Sequence, residues 1–438
     1  MEKLSETKDR SHIDSTIKRH YLAALAEQLH LMGKKRISAL ELERFTVDYF
    51  DSRGLPASTA PFLVDLKAKG ILLEIGDEVT FMFEAIRAFF LSTRLHENRA
   101  LLDKALSKAH FLELGEELDY YTGRHRDQDQ VLRTVVGLVN EFLQDAHLGF
   151  ELSAFDAIRI HDKAIDIEAA QNLRNAASQR PNLEQRNALL ESVDEQVHRQ
   201  SFVMPSDRNE YVQSGVGRYL EALRIASSIL RNSELVRDVA LKEQSYSEFA
   251  DGWCRILIRV MTALGDEGDP EISPTIGEKR KDPVLRLLEG LLPGDNPGMA
   301  RYLKKLIIPN VIMSLALESI GTAKLQKVMA KHYSTADTTV ERLLDVFLMV
   351  DLRLSDWAHN LEAFLRRFHK NRFVCELVFS KLFQVFMLGR LRPAEEHKVK
   401  GLLAESLTLV LAEDRGPQKT LIKGAFLTNL KKKRLTQR

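Results

Sequence analysis

The chain has 438 residues, too many for one compact core, so its length predicts two or three domains or an array of repeats. Apolar residues make up 44% and charged residues 29%, and the formal net charge is +1. This balance is ordinary for a globular protein, and it excludes a global field that would draw the whole chain to nucleic acid or membrane. Two cysteines are too few for a disulfide framework, and the polar first twelve residues lack the apolar core of a signal peptide. We therefore expect a cytoplasmic protein.

Residues 1–98 are predicted to form one domain. Apolar residues spaced three and four apart predict a helix from Ile13 to Leu31, and Ser38 with Glu41 predicts a capping box for a second helix that ends at Phe50. A third helix is predicted over 57–69, with Pro61 in its first turn.

A β-hairpin is predicted to follow the third helix. Gly70 ends that helix, and two short β-prone stretches over 71–75 and 78–83 flank the turn pair Gly76 and Asp77. The apolar period becomes helical after Glu84, and this last helix is expected to bury the face formed by Ile86, Phe89, Phe90 and Leu95. Three helices followed by a hairpin are the topology of a winged helix.

The remaining chain reads as helical. We expect a helical domain over 99–264, a linker or long loop over 265–298 that holds five of the twelve prolines, and a C-terminal helical domain over 299–438 with a basic tail. The fold class predicted is mainly α: an N-terminal winged helix with one β-hairpin, followed by an α-solenoid or irregular helical bundle. Past the linker, helices are predicted over 299–318, 322–332, 337–352, 355–369, 372–390 and 394–412.

Two details concern the middle domain. The polar stretch Tyr120–Arg124 is interpreted as a joint between two helices, and separate helices are expected over 233–243 and 246–264.

The most apolar run, 373–391, is interrupted by charged residues, which favours a buried helix over a membrane span.

The helix after the hairpin carries an aromatic pattern. Phe81, Ile86, Phe89, Phe90 and Ser92 fit the series F-x-H-x-x-Φ-x-E-Y-F-x-A, in which Φ is apolar. The passage resembles the winged-helix segment of STAND-class NTPases, which include the NACHT and related signalling ATPases of bacterial defence. The resemblance extends over about residues 12–150. It implies a winged helix followed by a helical sensor region.

Two departures from that family bear on catalysis. The family's histidine that reaches the bound phosphates is replaced here by Phe83, and we expect no nucleotide-binding core to precede the winged helix. The phosphate-cradling series G-x-x-x-x-G-K-[ST] is absent, and its nearest approximation, Glu413–Thr420, lacks both glycines. We therefore expect neither ATP hydrolysis nor a bound cofactor, and no enzymatic activity.

Other chemical groups are interpreted in the same way. His161, Asp162 and Asp166 lack the spacing of a metal site, so they are interpreted as a polar helix face. Cys254 lies in an apolar helix beside Trp253 and is interpreted as a core thiol. The sequence thus predicts neither catalytic residues nor metal ligands.

Two classes of partner remain. The leading hypothesis is a non-enzymatic interaction or sensor module that contacts a protein, with an NTPase subunit as one candidate; the alternative is a winged-helix transcriptional regulator that binds DNA. The third helix offers DNA only Lys67 and Lys69 beside Asp65, and the hairpin is acidic, which favours the protein partner. The terminal residues Lys431, Lys432, Lys433 and Arg434 are interpreted as a solvated basic end, with weak contact with nucleic acid or an acidic partner as the alternative.

Overall fold

The computed structural model describes residues 13–55, 59–158, 184, 187, 214–265 and 297–411. Helices dominate, with one small antiparallel sheet near the N-terminus, so the predicted mainly α fold class is confirmed. The chain divides into two compact units, the first made of residues 1–138 and 232–238 and the second of residues 139–231 and 239–438. The domain boundaries predicted at 98, 264 and 298 stay predictions.

The first unit opens with the three predicted helices and the hairpin. The elements are α1 (Ser15–Leu31), β1 (Ile37–Ser38), α2 (Ala39–Asp51), α3 (Thr59–Ala68), β2 (Leu72–Ile75), β3 (Glu78–Phe81) and α4 (Glu84–Glu97). The capping box is confirmed, because the Ser38 hydroxyl accepts the Glu41 amide and the Glu41 carboxylate accepts the Ser38 amide. These reciprocal bonds satisfy two backbone donors at the start of α2.

The hairpin belongs to a three-stranded antiparallel sheet in the order β1-β3-β2. Gly76 takes a φ of 62° in the turn, a conformation that costs little without a β-carbon. The strand β1 was not predicted. It has two residues, with Ile37 opposite Val79, and a strand this short shows no period in the sequence.

An aromatic cluster forms the core between α1, α2 and α3. The Tyr21 ring lies 4.7 Å from the Phe62 ring, edge to face, and also packs beside Tyr49 and Phe50. Its hydroxyl shares a hydrogen bond of 2.8 Å with that of Thr46, so the one polar atom of this buried ring is satisfied.

The helices α5 (Arg99–Ala105), α6 (Gly115–Arg124) and α7 (Asp129–Ala146) follow. The joint predicted at Tyr120–Arg124 is wrong, because these residues form the last turns of α6. The side chain of Asn232 donates to Asp119 Oδ1 at 2.8 Å, and Gly123 faces the same asparagine. The polar residues at the end of α6 thus contact a segment that is distant in sequence. Local composition does not reveal such a contact.

The second unit is helical throughout its described part. Two 3₁₀ turns, Leu152–Ala157 and Ala323–Leu325, accompany α8 (Gly215–Asn232), α9 (Val239–Gly265), α10 (Pro297–Ile320), α11 (Gln326–Thr335), α12 (Thr339–Asp351), α13 (Trp357–Phe368), α14 (Arg372–Leu388) and α15 (Pro393–Leu411). The last six agree with the helices predicted past residue 299. The two helices predicted over 233–243 and 246–264 are one, α9, since the buried Ser245 hydroxyl donates to Leu241 O inside the helix and does not interrupt it.

The apolar run near residue 373 is the buried helix α14. Lys381, one of its interrupting charges, is buried and lies 2.5 Å from Asp351 on α12. None of the helices in the described residues has both the length and the apolar character that a membrane span requires.

Several predicted features lie outside the described residues. These are the central part of the linker predicted over 265–298, the group His161, Asp162 and Asp166, the stretch Glu413–Thr420, and the terminal Lys431, Lys432, Lys433 and Arg434.

Candidate interaction surface

The aromatic pattern singled out in the sequence divides between core and surface. Phe81 at the end of β3 and Phe90 on α4 are both buried, with ring centroids 6.2 Å apart. This contact joins the sheet to the helix that follows it. The side chains therefore fix the angle at which α4 leaves the hairpin.

Phe89 and Ile86 lie on the same helix but are only half buried. The Phe89 ring packs edge to face on Tyr120 of α6 at 5.9 Å, and the Arg124 guanidinium lies 5.6 Å from its centroid. The ring pair is worth about 0.5–1.5 kcal/mol and an exposed cation–π contact about 0.5–1 kcal/mol. Phe89 thus helps hold α4 against α6.

Phe83 faces solvent. It occupies the N-cap position of α4 with extended backbone, φ −135°, and its side chain is 62% exposed. An aromatic side chain supplies no N-cap hydrogen bond, and serine, threonine, aspartate or asparagine is preferred at this position. Capping α4 therefore does not explain the residue.

The outer face of the hairpin is apolar as well. Leu73 and Ile75 alternate with the buried Leu72 on β2, and both are exposed, as is Met82 just beyond β3. The solvent face of an antiparallel sheet is normally polar. We call Leu73, Ile75, Met82 and Phe83 the hairpin patch.

Strand order adds to the exposure of the hairpin patch. The sheet runs β1-β3-β2, so β2 lies at its edge. An edge strand with apolar side chains is a surface that proteins usually shield with charge or with another chain. The sequence contains a signal for this patch, because consecutive residues of 71–75 are apolar. Both faces of the strand therefore carry apolar side chains, and only one face can be covered by the core.

The acidic residues of the hairpin are largely neutralised. Lys67 Nζ lies 2.6 Å from Glu74 Oε2, and Arg36 Nη1 lies 3.4 Å from Glu78 Oε2. The hairpin therefore carries less free negative charge than its sequence suggests. Its distinguishing property is the apolar outer face.

A buried ion pair anchors α4 to α6. Arg87 Nη2 lies 2.9 Å from Glu117 Oε1, and the Glu117 side chain is only 1% exposed. Arg87 also donates to Glu84 Oε1 at 2.8 Å through Nε. Burial raises the pKa of the Glu117 carboxyl, and the positive charge of Arg87 opposes that rise. The pair contributes to the position of the helix that begins at Phe83.

The described residues contain no group of three metal-ligating side chains. Cys254 is buried, and burial raises the pKa of its thiol well above the usual range, so it is a core thiol as predicted. A cavity of about 570 Å³ in the second unit is lined by both Arg372 and Glu376, and this mixture of charges selects no ligand class.

Comparison with known families identifies one similarity. The sequence model of the family described as Novel STAND NTPase 4 matches residues 35–91. The matched segment begins just before β1 and ends within α4, so it includes the whole hairpin patch. The chain is therefore similar to the STAND NTPases over this segment. Neither the curated proteins nor the solved structures yielded a match.

Proposed function

We propose that this chain is a non-enzymatic winged-helix and sensor module of a STAND-type signalling system, of the kind that acts in bacterial defence. The observation that carries the proposal is the family match over residues 35–91, the same segment that presents the hairpin patch. In this proposal the chain works by contact with a protein that carries the nucleotide-binding core.

The order of elements supports the winged-helix part. Helix, strand, two helices and a hairpin follow one another from α1 to β3, and β1 pairs with β3. Because α2 begins directly after β1, the pairing of β1 with β3 holds the hairpin against α2. The hairpin then presents its outer face away from the buried side chains of Leu72, Val79 and Phe81.

The hairpin patch supports a protein partner. Apolar residues scattered singly over a surface are normal, but here Leu73 and Ile75 share one face of a strand, and Met82 and Phe83 follow at the end of the hairpin. A partner that covers this face would gain roughly 25 cal/mol for each Å² of apolar surface removed from water. The partner we propose is an NTPase subunit.

The alternative, a DNA-binding regulator, is weakened by the contacts of α3. The two cations at the end of this helix are already engaged: Lys67, in its last turn, with Glu74, and Lys69, just beyond it, with Asp65 at 3.3 Å. Asp65 also pairs with the buried Lys18 at 2.9 Å. Phosphate would have to displace these acidic partners before it reached either lysine.

We predict no sequence-selective DNA binding. At physiological salt the chain should show at most weak duplex binding, with a steep salt dependence, contributed by the basic tail. A gel-shift titration from about 50 to 200 mM salt measures this, and a variant with Lys431, Lys432, Lys433 and Arg434 replaced by glutamine is the control. A salt-resistant shift that prefers one sequence would establish the regulator hypothesis in place of ours.

We also predict that the chain binds ATP and ADP no better than background. The sequence has no glycine-rich phosphate loop, and Phe83 cannot donate a hydrogen bond to phosphate. Calorimetric titration with magnesium present is the measurement. Saturable binding in the micromolar range would contradict the non-enzymatic part of the proposal, while leaving the STAND relationship intact.

A further inference from the structure

A buried polar cluster connects three helices of the second unit. Asp345 on α12 is fully buried, and its carboxylate accepts hydrogen bonds from Tyr246 of α9 and His332 of α11, each at 2.7 Å. Because an ionised carboxylate can only accept, the Nδ1 atom of His332 is the donor in this contact. The His332 ring also packs edge to face on Tyr246 at 5.3 Å.

The second ring nitrogen of His332 has a different environment. Nε2 is buried and makes no hydrogen bond, while Glu341 Oε1 on α12 lies 3.8 Å away. Glu341 is held in place because its other oxygen accepts the Thr338 amide at 3.1 Å in the capping box of α12. A proton on Nε2 would therefore lie close to the fixed carboxylate of Glu341 without forming a hydrogen bond to it.

Two neighbouring cations on these helices are bound to other groups and do not neutralise Asp345. Lys331 of α11 pairs with Glu243 of α9 at 2.5 Å, and Arg342 of α12 donates to Ala336 O at 2.5 Å. Asp251 of α9 adds a further negative charge to the field at His332. Burial raises the pKa values of the Tyr246 hydroxyl and the Cys254 thiol well above their usual ranges, so both stay neutral.

The charges around His332 favour its protonated form. Burial alone lowers the pKa of the imidazole, but the hydrogen bond and charge of Asp345, followed by Glu341, outweigh burial and raise it. Burial raises the pKa of the Asp345 carboxyl, and its two donors oppose that rise. His332 also lies in the last turn of α11, where the helix dipole favours a cation.

We propose that His332 is an internal cation that holds α11 against α9 and α12, and that loss of its Nε2 proton to solvent loosens this attachment. The Nδ1 proton stays on its bond to Asp345 in both states. After the Nε2 proton leaves, the buried Asp345 and the partly buried Glu341 are left as neighbouring negative charges without a cation between them. An uncompensated buried charge is strongly destabilising.

The direction of the pH dependence follows from the raised pKa. A histidine whose pKa is higher in the folded than in the unfolded protein stabilises the fold fully below its unfolded pKa, about 6.5. That stabilisation is lost as the pH rises through the folded pKa. The attachment of α11 is therefore expected to be firm in mildly acidic solution and weaker in alkaline solution.

Hydrogen exchange of peptides from α11, corrected for the intrinsic effect of pH, tests this proposal on the full chain between pH 6 and pH 9. The opening constant of α11 in the wild-type protein should rise by about tenfold or more across this range. His332→Gln should remove the pH dependence. His359→Gln, which changes an exposed histidine of α13, should retain it.

A second variant keeps the test decisive if His332→Gln does not fold. Glu341→Gln preserves the capping box, because glutamine caps as glutamate does, but it removes the charge beside Nε2. It should move the midpoint of the pH transition to lower pH. A flat wild-type profile, a pH dependence that survives His332→Gln, or an unchanged midpoint in Glu341→Gln would each overturn the proposal.

Discussion

Phe90→Ala is expected to lower the free energy of unfolding of the first unit by about 3–5 kcal/mol, the usual cost of truncating an enclosed phenylalanine. Phe90 is 5% exposed and packs between Phe81 of the sheet and Phe89 of its own helix. The substitution would leave a cavity where α4 meets the sheet. The loss combines burial of the ring with the empty space left behind.

The measurement must report on the first unit alone. Both tryptophans, Trp253 and Trp357, lie in the second unit, so their fluorescence does not report it. Denaturant-dependent hydrogen exchange of peptides from α4 does. Phe83→Ala is the matched control, since this phenylalanine is 62% exposed and its loss should cost no more than about 0.5 kcal/mol. If Phe90→Ala stays within about 1 kcal/mol of the wild type, the orientation of α4 is wrong.

Arg87→Leu is expected to destabilise the first unit by about 3–5 kcal/mol, because it leaves the buried Glu117 carboxylate without its cation. The double variant Arg87→Leu/Glu117→Leu should recover much of that loss, since a buried ion pair replaced by apolar side chains is often neutral. The same exchange measurement on α4 and α6 peptides compares the two. Equal losses in the single and double variants would show that the pair's charge is unimportant.

The Arg87→Leu deficit should also depend on pH. Burial raises the pKa of Glu117 in the folded protein, and removing Arg87 takes away the charge that opposes this rise. The ionised carboxyl is thus penalised as pH rises above its unfolded pKa, about 4.3. We expect the deficit to be largest near neutral pH and to shrink as the pH falls toward that value.

Features with a local cause were predictable from the sequence. The capping box of Ser38 and Glu41, the glycine turn of the hairpin and the helices past residue 299 all depend on residues a few positions apart. Helix α14, for example, was expected over 372–390 and spans Arg372–Leu388. Periodicity and capping chemistry determine such features.

Features that depend on distant residues were not predictable in this way. Arg87 pairs with Glu117, and His332 with Asp345, through folds that bring separate helices together. Gly123 and its polar neighbours were interpreted as a joint from their local composition alone. The residue that they contact, Asn232, lies more than a hundred residues later and could not be inferred from that composition. The exposure of the hairpin patch likewise depends on which face of the sheet is covered.

Under the proposed function, the hairpin patch binds the nucleotide-binding subunit of a STAND-type system. Photo-crosslinking in the native host tests it most directly, with p-benzoylphenylalanine in place of Phe83 and, as the control, in place of Leu235, another apolar side chain that is 62% exposed. Position 83 should crosslink to a polypeptide that contains a phosphate-binding loop, identified by mass spectrometry, and position 235 should not. Crosslinking of position 83 to DNA, or the absence of any NTPase among its products, would show that the hairpin patch does not bind such a subunit.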